Sequence, residues 1–367
     1  MTAMQQMQFI ESPKSQIVHG DCLDVMRSMA DNSISAIVTD PPYGLSFMGK
    51  SWDHSVPGPE FWQEVLRICK PGAFMIAMGG TRTFHRLTCA IEDAGWEIRD
   101  CISWLYGSGF PKSHNHFGIE GFGTALKPAW EPCIVAMKKC DGTFKQNAER
   151  WGQAGINIDE CRIPTVEKLA IGSGKVGYEG GYINYHPLEQ NPKGRWPANV
   201  ILDEESSRLL DEQSGNSRSI NSPRNNKPSE NTCMNGANTG HISYGHSDSG
   251  GASRFFYCAK ASSSERNEGL EELQDRICHR YSEKAQGPLP QQTPSKGVIE
   301  KNHHPTVKPL KLMEYLIKLI MPPKDGILLD PFAGSGSTIL AAKNLGFDAI
   351  GIEKCADYCE IARARLL

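Results

Sequence analysis

Short apolar runs rich in Ile, Val, Ala and Met alternate with amphipathic stretches over residues 16–137 and again from residue 303 onward. The run at 16–21 predicts a strand ending in Gly20-Asp21, and Leu23, Val25, Met26 and Met29 follow at helical spacing until Asp31-Asn32 ends the helix. A second strand is predicted over 36–39, a helix over 61–69 stopped by Lys70-Pro71-Gly72, and a buried strand over 73–78 ending in Gly79-Gly80. A helix over 81–94, a long strand over 96–106 and a strand over 131–137 complete this half. Near the end of the chain the pattern returns as a helix over 312–320, a strand over 326–330, a helix over 338–345 capped by Gly346, a strand over 349–352 ending in Glu353, and a helix over 357–366. Strands alternating with helices argue for a doubly wound α/β fold with a mostly parallel sheet, finishing here in an antiparallel pair.

Residues 141–296 break this rhythm. Apolar islands at 155–159, 194–202 and 253–257 are separated by polar stretches, and 214–251 is so rich in Asn, Ser and Gly that it buries little apolar surface. The pattern predicts an inserted module over 141–296 with a flexible loop at 214–251, flanked by segments 1–140 and 297–367 of one core. A length of 367 residues suits one large domain with an insertion, or two domains.

Composition narrows the class. Hydrophobic content of 39% and charged content of 22% are ordinary for a soluble globular protein, and no apolar run approaches membrane-spanning length. The start carries no signal-peptide pattern, and the twelve cysteines are scattered with no Cys-x-x-Cys pair, which points to reduced cytoplasmic thiols and to no metal site. A net charge of -3 neither advertises nor excludes nucleic acid, since binding it requires only a local positive face.

Two stretches carry chemistry. In Thr39-Asp40-Pro41-Pro42-Tyr43-Gly44, two prolines stop the preceding strand, because neither donates to a ladder and each fixes its own φ. An acid, backbone carbonyls and an aromatic ring are thereby held at a strand's carboxyl end, an arrangement suited to gripping a conjugated exocyclic amino group. Residues 44–59, rich in Gly, Pro and Ser, predict a loop over this site, with Phe47 or Trp52 adding stacking area. The second stretch, Asp330-Pro331-Phe332-Ala333-Gly334-Ser335-Gly336, is a strand–glycine turn–helix cradle. A phosphate loop would need Lys before Ser/Thr, whereas this loop reads Gly336-Ser337-Thr338; a dinucleotide site would need Gly where Ile339 stands. S-adenosylmethionine requires only close approach to bare backbone and an acid on the next strand for its ribose, and Glu353 stands at the right remove.

Asp40 to Tyr43, Asp330 to Gly336, the stretch His304-Pro305-Thr306-Val307-Lys308-Pro309, Gly20-Asp21 and Glu353 together resemble the motifs of DNA amino-methyltransferases of the adenine-N6 and cytosine-N4 family, in β-group order. The resemblance implies a seven-stranded Rossmann-like methyltransferase sheet, circularly permuted, with an inserted target-recognition module. It implies a catalytic set of Asp40, Pro41, Pro42 and Tyr43. For the cofactor, S-adenosyl-L-methionine, it assigns the methionine portion to Asp330, Phe332, Gly334 and Gly336, the ribose to Glu353, the adenine edge to Asp21, and the carboxylate to Thr306 and Lys308. It implies double-stranded DNA as partner and leaves a homodimer and a cognate restriction nuclease open. Arg195 and Arg254 in the insertion are the candidate DNA contacts.

Asp at the first tetrad position favours adenine over cytosine, which more often goes with Ser; RNA or protein-amide methylation on the same core stays as an alternative, and an inactive DNA-binding module as a remoter one. Pro132-Cys133 raises the question of a cysteine nucleophile as in C5-cytosine enzymes, but Cys133 lies within a predicted strand and reads as core.

Overall fold

The computed structural model describes residues 15–45, 54–109, 118–165, 193–218, 223–225, 242–244, 248–259, 270, 276–278, 298–300, 302, 304, 307–323 and 326–367. The chain divides into two compact units: residues 1–105, 128–157 and 259–367 form the first, and 106–127 with 158–258 the second.

In the first unit the apolar runs form β1 (Ser15–His19), β2 (Ile34–Thr39), β3 (Cys69–Met78), β4 (Glu97–Leu105) and β5 (Trp130–Met137). The amphipathic stretches form α1 (Cys22–Arg27), α2 (Pro59–Ile68) and α3 (Phe84–Asp93). A further helix, α4 (Phe144–Trp151), follows β5. In the second unit β6 (Val200–Asp203) runs into α5 (Glu204–Ser214). The first unit then resumes with α6 (Leu310–Ile320), β7 (Ile327–Asp330), α7 (Ser337–Asn344), β8 (Asp348–Glu353) and α8 (Ala356–Arg365).

Among its described residues, seven strands lie side by side in the order β1-β8-β7-β2-β3-β5-β4. Pairing is parallel from β1 through β3, while β5 runs antiparallel to both β3 and β4. This is the mostly parallel, doubly wound sheet that the pattern predicts, with its antiparallel pair at β4–β5. From β2 the chain winds to β3, and from β7 it winds the other way to β8. The β2–β7 boundary is therefore the topological switch point, where strand ends splay and leave a crevice. The two strands that meet there come from opposite ends of the sequence.

Why these residues make strands follows from burial. Every residue of β2 is buried, so its face-to-face apolar content has no polar alternation to read. Trp62, Val65 and Ile68 of α2 and Leu87 and Ile91 of α3 have no exposed surface in the core beneath the sheet.

Two departures from the expected pattern have physical causes. Lys70-Pro71-Gly72 does not separate α2 from β3: the strand begins at Cys69 and runs through these residues, and pairing with β2 shifts register between Ile34 and Ala36 to absorb them. Asn147 of α4, fully buried, holds this irregular segment. Its Nδ2 donates to the Pro71 carbonyl (2.9 Å) and the Gln153 carbonyl (2.6 Å), and its Oδ1 accepts from the Asp141 amide (2.7 Å). Helix α4 itself carries a capping box: Thr143 Oγ1 accepts from the Gln146 amide, while Gln146 Oε1 accepts from the Thr143 amide (2.9 Å). That Thr-x-x-Gln signal stands in the sequence within the stretch expected to be insertion, and α4 belongs to the first unit.

Asn147→Ala leaves buried backbone groups without partners, so we expect a loss of about 1–3 kcal/mol of stability. Urea unfolding of the two proteins measures it, and a midpoint unchanged by the substitution would show that the bulge holds without Asn147.

Candidate active site

The cradle is built from β7, its turn and α7. Gly334 (φ 52°) and Gly336 (φ 79°) adopt left-handed backbone that side-chain-bearing residues disfavour. A Cβ at Gly334 would also stand 2.7 Å from His304 Nε2, and one at Gly336 would stand 2.9 Å from Ala362 Cβ. The turn is braced from outside by Arg365 of α8, a buried side chain whose Nη1 donates to the Ser335 carbonyl (2.8 Å) and Ser337 Oγ (3.0 Å).

Asp330 ends β7 and is almost wholly buried. Its Oδ1 accepts from Thr39 Oγ1 of β2 (2.7 Å) and from the Phe332 amide (3.0 Å), and its Oδ2 accepts from Thr338 Oγ1 of α7 (2.6 Å). One carboxylate thus joins the end of β2, the turn and the start of α7. Burial raises its pKa from the ordinary 3.8 to about 6, against the opposing pull of these hydrogen bonds.

Glu353 ends β8 and accepts from the Gly334 amide at Oε2 (3.0 Å) and from the Cys355 amide at Oε1 (2.6 Å); burial raises its pKa. Asp21 caps α1, accepting from the Leu23 amide (3.1 Å), and pairs with Lys354 Nζ (3.1 Å), which with the cap holds its pKa below the usual range. Phe332 lies against Phe61, ring centroids 5.0 Å apart.

Beside the cradle, strand β2 stops at Thr39, immediately before Asp40-Pro41-Pro42-Tyr43. Tyr43 is pinned at both ends: its carbonyl accepts from Thr83 Oγ1 (2.6 Å), and its hydroxyl donates to Asp40 Oδ1 (2.8 Å). Lys308 Nζ sits 2.9 Å from Asp40 Oδ2, 3.1 Å from Glu131 Oε2 and 3.2 Å from the Tyr43 hydroxyl. Burial pulls the Lys308 pKa down, but Asp40 and Glu131 together outweigh it and the ammonium is held charged. Burial, then the two carboxylates, push the Tyr43 phenol far above its ordinary value, so it stays protonated.

Asp40, just past the end of β2, and Asp330, the last residue of β7, thus stand at the carboxyl ends of adjacent parallel strands. Both line one cavity of about 650 Å³, together with Gly20, Asp21, Pro42, His304, Lys308, Phe332, Gly334 and Glu353. Thr306, Phe47 and Trp52 lie outside the described residues, as do parts of the 214–251 loop. Lys308, expected at a cofactor carboxylate, has its ammonium on Asp40 and Glu131.

Arg195 and Arg254, in the second unit, both reach the buried Asp248 at 2.6 Å and stack on Phe255, and Arg254 also donates to the Gly250 and Gly251 carbonyls. Their guanidiniums are engaged in holding this segment together. Cys133 is fully buried within β5, with its thiol pushed up by burial, as expected of a core cysteine.

Glu131 and His304 were not singled out as site residues from the sequence. The signal for Glu131 is a lone acid near the start of an otherwise apolar strand; because β5 is antiparallel, its beginning lies at the edge where the parallel strands end.

A glycine cradle and a polar, aromatic cluster flanking the switch point define an α/β protein of the class that binds a nucleotide-type ligand at its strand ends. Within that class, a family model described as DNA methylase, of the N6/N4 methyltransferases, matches residues 34–364, and the chain belongs to this family. Type II methyltransferase M.ScaI of Streptomyces caespitosus is 44% identical over 68 residues, covering 18% of this chain and 22% of that protein. Type II methyltransferase M.HindIII of Haemophilus influenzae is 49% identical over 67 residues, covering 18% and 21% respectively. The aligned stretch thus spans about a fifth of these relatives' length. Among solved structures, PvuII DNA methyltransferase (cytosine-N4-specific) aligns over 98% of this chain and 90% of its own at 14% identity and TM-score 0.49. The M1.HpyAVI–SAM complex aligns over 96% and 99% at 18% identity and TM-score 0.42. Among the described residues no helix is long and apolar enough to cross a membrane, and no cluster of His, Cys, Asp and Glu could hold a metal ion.

Because Asp330 binds its proton more tightly folded than unfolded, its contribution to stability is full below about pH 4 and is lost as pH rises through about 6. Thermal unfolding of the native protein and of Asp330→Asn should therefore show the native chain gaining relative stability as pH falls from above 6 to about 4. A difference independent of pH would mean that Asp330 is not titrating in that window.

Proposed function

We propose that the protein is an S-adenosylmethionine-dependent methyltransferase acting on the N6 amino group of an adenine turned out of duplex DNA. The observation that carries this reading is the Thr39–Asp330 hydrogen bond, which couples the acid-Pro-Pro-Tyr cluster to the glycine cradle around one cavity. The residues fit the cofactor. Gly334 puts bare backbone on the cavity wall, Gly334 and Gly336 let the turn close tightly against His304 and Ala362, and Asp21 and Glu353 present acids at the same cavity. In this reading Phe332, Gly334 and Gly336 hold its methionine portion with Asp330 shaping the turn, Glu353 its ribose and Asp21 its adenine edge, with Thr306 nearest its carboxylate, while Lys308 stays with Asp40 and Glu131. Bound there, it supplies an electrophilic methyl group on a sulfonium sulfur.

The protein's own residues prepare the amine. An adenine N6 lone pair is delocalised into the ring and is a weak nucleophile. Hydrogen bonds from N6 to Asp40 and to the Pro41 carbonyl localise that pair and orient it. Asp40 Oδ1 and Oδ2 already accept from Tyr43 and Lys308, and each retains a lone pair for a further donor. The Tyr43 ring offers a stacking surface that compensates for stacking lost when the base leaves the duplex. No covalent intermediate is required, in keeping with the buried, protonated Cys133. Adenine is preferred because Asp, and not Ser, opens the tetrad, and its charge polarises the amino group more strongly. The insertion, read from the sequence as 141–296, is the target-recognition region in this proposal.

Two measurements test the reading. Asp40→Ala should abolish methyl transfer while leaving cofactor binding near native, whereas Glu353→Ala should weaken cofactor binding by about 1–3 kcal/mol. Calorimetry with S-adenosylmethionine separates the two, and equal loss in both variants would reverse the assignment of roles. DNA methylated with labelled cofactor, digested and chromatographed, should carry label as N6-methyladenine. Recovery as N4-methylcytosine would change the base and keep the chemistry, and label appearing only in RNA or protein would change the substrate class.

A further inference from the structure

Glu131 belongs to none of the sequence motifs, yet it completes the polar cluster around Asp40. Its Oε2 lies 3.1 Å from Lys308 Nζ and 3.2 Å from the Tyr43 hydroxyl. Counting protons shows how closely the four groups interlock. The ammonium has three: one faces Asp40 Oδ2, one Glu131 Oε2 and one the Tyr43 oxygen. The phenol has one, and its shorter contact is Asp40 Oδ1 at 2.8 Å against 3.2 Å to Glu131. Every donor is thus assigned. Lys308 is shared between two carboxylates, with side-chain exposure of 11% for Lys308, 20% for Asp40 and 22% for Glu131.

We infer that Glu131 is a positioning residue for methyl transfer, acting through Lys308 and Tyr43 to keep Asp40 oriented and electron-rich. The inference rests on the amino-methyltransferase reading above. With Glu131 the cluster of two carboxylates and one ammonium carries one net negative charge; without it Lys308 is neutralised by Asp40 alone. In the reaction the amine nitrogen gives its lone pair to the methyl carbon, the carbon–sulfur pair stays on sulfur, and the nitrogen becomes cationic until one N–H proton leaves. A net negative cluster beside that nitrogen stabilises the transient cation, and Asp40 is the acceptor through which the proton passes to solvent. An Asp40 bound wholly to its own ammonium would be a poorer acceptor. Glu131 therefore divides the charge of Lys308 and leaves Asp40 available.

The test uses the full-length protein and Glu131→Gln, which keeps the side chain's shape and one acceptor but removes its charge. We expect kcat for methyl transfer to fall by about 10–100-fold. KM for DNA and the calorimetric Kd for S-adenosylmethionine should stay within about threefold of native, because Glu131 contacts neither ligand in this scheme. Glu131→Asp, which restores the charge, should recover part of the lost kcat. In a double-mutant cycle, Glu131→Gln should add little to the loss caused by Lys308→Met, since the effect runs through Lys308. Native kcat in Glu131→Gln, a loss confined to KM, or a loss that multiplies fully with that of Lys308→Met would each overturn the inference. A native protein that transfers no methyl group to any amine would instead bring down the underlying reading. The two failures are told apart by the unmutated control.

Discussion

A single buried carboxylate ties together parts of the chain that the sequence keeps far apart. Asp330 accepts from Thr39 at the end of β2, from Thr338 in the first turn of α7 and from the Phe332 amide within the glycine turn. Burying a charged group is costly unless donors surround it, and here three do. Its raised pKa is the residue of that cost. Both halves of the candidate site hang from this contact: the cradle because Asp330 begins the turn, and the acid-Pro-Pro-Tyr cluster because Thr39 immediately precedes Asp40.

Around this link the sheet topology does the remaining placement. Parallel strands deliver Gly20-Asp21, Asp40, Asp330 and Glu353 to one edge, since each of these groups stands at or just after the carboxyl end of its strand. The antiparallel β5 adds a group by the opposite rule, because its beginning lies where the others finish. Glu131 enters the cluster this way, and Lys308 enters from the segment preceding α6. Net charge is accordingly set by neighbours from three separate stretches of chain.

The second unit illustrates a different use of charge. Asp248 is nearly inaccessible and takes both Arg195 and Arg254, while Phe255 offers its face to both guanidiniums. An arginine in a polar, glycine-rich insertion reads as a phosphate contact from sequence, yet here the guanidiniums satisfy a buried acid and backbone carbonyls. Pairing of this kind offsets the cost of burying the Asp248 carboxylate.

The sequence alone determined most elements of the first unit, because buried parallel strands must be largely apolar and the helices that cover them need an apolar face; residues 36–39, 73–78 and 326–330 left little choice. It also determined the two chemical stretches, since proline and glycine act on the backbone locally and their effects can be read without knowing what lies nearby. Helix α4 was not read from the sequence: its Thr143-x-x-Gln146 box stands there, but the polar stretch around it concealed the signal. What only the tertiary structure decided is partnership: that Lys308 meets Asp40 and Glu131, that Arg195 and Arg254 share Asp248, that Asn147 holds the Pro71-Gly72 bulge, and that Arg365 braces the glycine turn. Local propensity depends on a residue and its near neighbours, and periodicity exposes it. A side-chain partner depends on which strand ends adjoin after folding, and no pattern along the chain encodes that adjacency.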